Sequence, residues 1–112
     1  MESCIFCKIV KKEMPAAIIF EDEEIIAFKD VNPIAPVHIL IIPKKHVPTI
    51  NSLGPQDGDL AWKILLAAKK IVKERGIFES GYRLVFNVGK DAGQTVEHIH
   101  LHLLGGKELP WK

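Results

Sequence analysis

The stretch His98-Ile99-His100-Leu101-His102-Leu103-Leu104 alternates imidazole with aliphatic side chains, and this pattern constrains the chain more than any other. Successive side chains of a strand leave on opposite faces, so Glu97 to Leu104 reads as a strand. The three imidazoles then share one face, while Glu97, Ile99, Leu101 and Leu103 share the other. At a rise of about 3.3 Å per residue, neighbouring imidazoles leave the backbone roughly 6.6 Å apart, within reach of one substrate group or one metal ion. A half-buried strand with an incidentally histidine-rich face is the competing reading. It is the weaker one, because buried imidazoles need hydrogen-bond partners and charge readily near neutral pH, and three of the five histidines of the chain stand here.

A length of 112 residues allows one compact domain, so residues 1–112 are expected to form a single unit containing the function. Formal charge is +1, with acidic and basic residues interspersed, which disfavours a nucleic-acid partner. No apolar run approaches the ~20 residues that would cross a membrane, and Met1-Glu2-Ser3-Cys4 is not the start of a secretory signal, so a cytoplasmic protein is expected. The two cysteines, Cys4 and Cys7, lie too close in sequence to staple distant segments.

Periodicity and turn residues predict the elements. Ile5 to Lys12 has helical spacing and Pro15 limits its extension. Ala17 to Phe20 and Ile25 to Phe28 flank the acidic turn Glu21-Asp22-Glu23-Glu24 as a hairpin. After the loop Asp30 to Pro36, Val37 to Ile42 is a β-prone run ended by Pro43. Asp57 to Arg75 carries a helical apolar stripe with Gly76 as its stop, and Trp62 and Leu66 widen that stripe enough to serve a partner subunit. Tyr82 to Val88 and Glu97 to Leu104 complete an α+β domain with a mainly antiparallel sheet. The intervening loop has Gly89 and Gly93, which let backbone approach a ligand, and the donors Gln94 and Thr95. If its two strands pair, Asn87, this loop and the histidines converge. Cys4-Ile5-Phe6-Cys7 is open between a redox pair, half a metal site and two packed thiols.

The segment from His98 to Leu104 resembles the signature of the histidine triad superfamily, His-φ-His-φ-His-φ-φ with φ apolar. Similarity to its Hint branch, small purine nucleoside phosphoramidases, runs through Ile5-Phe6-Cys7-Lys8-Ile9, Ala27-Phe28-Lys29-Asp30, Pro36-Val37-His38, Pro43-Lys44-Lys45-His46 and Gly93-Gln94-Thr95-Val96. The resemblance implies a HIT-like fold: a five-stranded sheet with one short N-terminal helix and one long helix, the sheet continued across a homodimer. It implies hydrolysis of the P–N bond of nucleoside phosphoramidates, with His100 as nucleophile forming a nucleotidyl-histidine. His102 then binds the phosphoryl group and His38 assists proton transfer.

By the same resemblance Asp30 accepts from the ribose hydroxyls, while Val31, Ile5, Phe6, Ile9 and Phe28 line the base pocket. Read on their own, these apolar residues are ordinary core, and Asp30 equally caps its loop. Asn87, Gly93, Gln94 and Thr95 are implied to meet the phosphate; serine is commoner than threonine at the last position. Bacterial relatives with the cysteine pair resemble a zinc site, here Cys4, Cys7, His46 and His98, which would tie the first helix to the sheet. Trp111 lies where similar proteins send the tail to the partner's active site. Rival readings are a metal-dependent hydrolase using all three triad histidines, a dinucleoside polyphosphate hydrolase, and a non-catalytic nucleotide-binding scaffold.

Overall fold

The structure is a computed structural model that describes residues 3–111. Cys4 caps the first helix, α1 (Ile5–Val10): its Sγ accepts the Cys7 N–H at 3.4 Å. Strands β1 (Ile18–Glu21) and β2 (Ile25–Lys29) form the expected hairpin. Its turn is held by Asp22, whose Oδ1 accepts the N–H groups of Glu24 and Ile25, both at 2.8 Å. Then follow β3 (Val37–Pro43), the long helix α2 (Gly58–Glu74), β4 (Tyr82–Phe86) and β5 (Leu101–Gly105). The five strands are ordered β1-β2-β3-β5-β4 and every neighbouring pair is antiparallel. No helix among the described residues is long and apolar enough to cross a membrane.

Alternation along the central strands sorts their residues onto two faces. Ile25, Ala27, Ile39, Ile41, Leu101 and Leu103 pack under α2, against Ile64, Ala67, Ala68, Ile71 and Val72. Ile26, Phe28, Leu40 and Ile42 pack on the other face against Phe6 and Ile9 of α1. The α2 side is thus the larger core, and the α1 side, covered by a helix of only six residues, leaves room beside it for a site. At Gly105 a Cβ would stand 2.7 Å from Ile77 Cδ1, so a larger residue there would displace the tip of the Ile77 side chain just beyond α2.

Two expected strands are shorter than the pattern implies. In the β3–β5 ladder Leu101 faces Ile41, so continuing towards residue 97 would bring Ile99 opposite Pro43, which has no N–H to offer. The Ile99 N–H instead donates to the Val47 carbonyl at 2.7 Å. His98, Ile99 and His100 therefore precede the strand, and β4, which pairs with β5, ends at Phe86 opposite Leu101. The first helix stops at Val10, and Lys12 turns the chain away with φ 63°. Asp57 and Arg75 flank α2 as its caps.

Candidate functional site

His98 and His100 are anchored by backbone carbonyls in the extended segment before β5, and these contacts fix their ring tautomers. The His100 Nδ1–H donates to the His98 carbonyl at 2.8 Å, leaving the Nε2 lone pair free. The His98 Nε2–H donates to the Pro43 carbonyl at 2.8 Å, leaving its Nδ1 lone pair turned towards the cysteines. Both rings are buried, and the edge-on contacts of Phe6 with His98 and His100, at 5.9 and 5.1 Å between centroids, show that they stand on the α1 side. Burial pushes the His98 imidazole below its ordinary value, outweighing the hydrogen bond to Pro43, so the ring is neutral.

Around that nitrogen gather Cys4 Sγ at 3.5 Å, Cys7 Sγ at 3.6 Å and, 3.2 Å from Cys7 Sγ, His46 Nδ1. All four ligand atoms lie within 4.8 Å of one another, close enough to hold one metal ion. Burial, and then the neighbouring Cys4, raise the Cys7 thiol above its ordinary value, a penalty that a bound cation would reverse. The Nε2–H contact to Pro43 is the outer hydrogen bond that orients metal-ligating histidines.

The third histidine of the pattern, His102 on β5, belongs to a different group. Its ring lies 5.1 Å from that of His100, and its Nδ1 is 3.0 Å from His38 Nε2, which is also 3.2 Å from Asp30 Oδ2. His38 Nδ1 accepts the Ile34 N–H at 3.2 Å, so the His38 proton sits on Nε2 and is directed at His102 and Asp30. His102 then accepts at Nδ1 and keeps its own proton on Nε2. Burial, reinforced by His100 and His38, lowers His102 to about 4; burial likewise lowers His38 despite the pull of Asp30. A relay of neutral histidines results. Asp30, His38 and His102 also lie close enough together to hold an ion, but the Ile34 contact denies the metal a lone pair on His38 Nε2.

A cavity of about 310 Å³ opens beside His100 and His102. Ile5, Phe6, Ile9, Phe28, Asp30, Val31 and Thr95 line it, as do Met14, Leu40 and Val96, which the sequence reading did not single out. Leu40 was within reach, since it shares its strand face with His38; Met14 had no local signal. Val31 is 88% exposed and stands at the rim. Asn87, Gly93 and Gln94 do not line the cavity. Asn87 Nδ2 donates to the Ala92 carbonyl at 2.6 Å. Gln94 accepts the Gly89 N–H at 2.9 Å and donates to the Pro48 and Val96 carbonyls at 2.7 and 3.1 Å. In this conformation their amides brace the loop.

At the other end of the chain Arg83 donates to the Pro110 and Leu109 carbonyls at 2.9 and 3.2 Å, and its guanidinium lies 5.8 Å from the ring centre of the exposed Trp111. The tail is therefore held against β4.

Residues 3–110 match the family model described as the scavenger mRNA decapping enzyme C-terminal binding region. An uncharacterised HIT-like protein of Synechocystis is 50% identical over 110 residues, 98% of this chain and 96% of that protein. The chain belongs to the histidine triad (HIT) family. Its HIT fold superimposes with a TM-score of 0.96 on a HIT family hydrolase from Legionella pneumophila, 54% identical and covering 97% of each chain. The purine nucleoside phosphoramidase of Escherichia coli K12 is 44% identical over 108 residues, 96% of this chain and 91% of that enzyme. The relatives mark this chain as a HIT-family hydrolase of the Hint-like group.

Proposed function

We propose that this HIT hydrolase cleaves the P–N bond of purine nucleoside 5′-phosphoramidates through a covalent nucleotidyl-histidine on His100. The observation that carries the reading is the His100 ring itself: Nδ1–H fixed on the His98 carbonyl, Nε2 free, beside a cavity whose walls are apolar and whose rim holds Asp30. A base would fill the space between Phe6, Ile9, Phe28 and Leu40, with the ribose hydroxyls donating to Asp30. His100 Nε2 attacks phosphorus, the P–N bond breaks, and the leaving nitrogen departs with a proton supplied through His102 and His38. Water then attacks phosphorus, its proton passes to the same relay, and the bond electrons return to Nε2. His102 Nε2–H, with backbone N–H groups of the loop braced by Gln94, would meet the phosphoryl oxygens.

The Cys4, Cys7, His46 and His98 set fits zinc. A tetrahedral site with sulfur at about 2.3 Å and nitrogen at about 2.0–2.1 Å has sulfur–nitrogen edges of about 3.5 Å, and the observed separations are 3.5, 3.6 and 3.2 Å. A closed four-ligand set leaves no position for water, so the ion's chemistry there would be to hold α1 to the sheet. A homodimer is supported by Trp62, 51% exposed on α2, and by the outer edge of β4, which no described strand covers.

Hydrolysis of adenosine 5′-phosphoramidate, followed by rapid quench and mass mapping of the adduct, tests the mechanism. An adenylyl group on His100 is expected, and His100→Ala should lower turnover by at least about 10³-fold. Comparable turnover in that variant would refute covalent catalysis, and preferential cleavage of dinucleoside polyphosphates would move the substrate class.

A further inference from the structure

We propose that Cys4 and Cys7 form a redox switch: oxidation to a disulfide by a peroxide removes both sulfurs from the metal site and loosens the wall of the nucleotide cavity. The inference rests on the metal and nucleotide readings above. Its first support is access. A cleft of about 360 Å³ is lined by Ser3, Cys4, Ile5, His46, Thr95, Val96 and Glu97, so solvent reaches the part-exposed Cys4 while Cys7 is buried behind it. Cys4 is therefore the sulfur a peroxide meets, and Cys7 is the resolving one. Their Sγ atoms lie within the 4.8 Å ligand cluster, and the Cys4 Sγ already accepts the Cys7 N–H. Two cysteines three residues apart on the same helical turn can close a disulfide without moving distant chain.

The balance is simple. The Cys4 thiolate attacks one peroxide oxygen, the O–O bond breaks, and a sulfenic acid and hydroxide form. The Cys7 thiolate then displaces hydroxide from that sulfenic sulfur and closes the S–S bond. Two sulfurs have lost two electrons, and one peroxide has become two hydroxides, which take protons from solvent. Two imidazoles are left of the four ligands.

The second support is the shared wall. Ile5, Thr95 and Val96 line the metal cleft and the nucleotide cavity alike. Phe6, between the two cysteines, touches both His98 and His100, and the His98 carbonyl holds the His100 tautomer. A six-residue helix has little stability of its own, so what anchors it also sets the cavity.

The test uses purified reduced protein with its metal content measured first, then titrated with hydrogen peroxide. Metal release is read with a colorimetric chelator, the disulfide by a loss of about 2 Da in the peptide containing both cysteines, adenosine monophosphate affinity by calorimetry, and α1 by hydrogen exchange. We expect one ion released per disulfide, faster α1 exchange, and affinity at least about fivefold weaker, the low end for coupled sites. All three should be reversed by dithiothreitol and zinc. Cys4→Ser, which lacks both one metal ligand and the attacking sulfur, should show no 2 Da loss and no dithiothreitol-reversible change in α1 exchange or nucleotide affinity under the same peroxide; should that variant not fold, the reversal carries the test. Metal-free reduced protein would overturn the metal reading and the switch together, and metal-loaded protein that does not bind the nucleotide would overturn the nucleotide reading and, with it, the cavity coupling. Disulfide formation that leaves α1 exchange and nucleotide affinity unchanged overturns the switch alone.

Discussion

His102 ties acid stability to the candidate site, and its effect has a definite sign. The ring titrates at about 4 in the folded chain against an ordinary 6.5. Below pH 6.5 the unfolded chain takes up a proton that the folded chain refuses until pH 4, so stability present above 6.5 is lost across that window. The full shift corresponds to about 3 kcal/mol as an upper limit. The ring is partly solvated and shares its field with His38 and His100, which reduces the effect to about 1–2 kcal/mol. With an unfolding entropy of about 2.1 cal/mol/K per residue over 112 residues, that is a shift of about 4–8 °C. The measurement is Tm by circular dichroism from pH 7.5 to 4.5 for the wild type and His102→Gln. Acid effects common to both, including those at the cysteine–histidine cluster, cancel in the difference, and the wild type should lose the extra 4–8 °C. Parallel losses in the two proteins would show that His102 does not resist protonation.

Ile71 is fully buried beneath the sheet, so Ile71→Ala should cost about 2–5 kcal/mol in urea unfolding, and a cost under 1 kcal/mol would mean the α2 core is not what holds the sheet. Gln94→Glu keeps the acceptor for Gly89 but sets a carboxylate against two carbonyls, so a loss of about 1–3 kcal/mol with lower hydrolase activity is expected; unchanged stability would refute the bracing role. Light scattering should give twice the 12.5 kDa chain mass, and a monomer at micromolar concentration would exclude the homodimer.

The elements were legible where a single face decides them. Odd and even positions of β2 and β3 separate cleanly between α2 and α1, and Leu101 and Leu103 of β5 join the α2 side, as alternation requires. Strand lengths were not, because they depend on the partner: only the register between β3 and β5 shows that Pro43 would face Ile99 and stop the ladder. The apolar lining of the cavity was legible only through resemblance, since Ile5, Phe6, Ile9 and Phe28 look like core in any amphipathic segment. Gln94 and Asn87 carry donors in a loop, and nothing local distinguishes a donor that meets phosphate from one that braces backbone.

The histidine alternation was the strongest signal, and its periodicity holds beyond the shorter strand that forms. His98 and His100 precede β5, yet the extended backbone there keeps them on the α1 side with His102. What differentiates the three rings is the partner of each second nitrogen. Pro43 turns the His98 lone pair to the cysteines, the His98 carbonyl turns that of His100 to the cavity, and His38 makes His102 a donor. Two of those partners are backbone carbonyls and the third is 64 residues away, so equivalence in sequence becomes chemical inequality only after the sheet has formed.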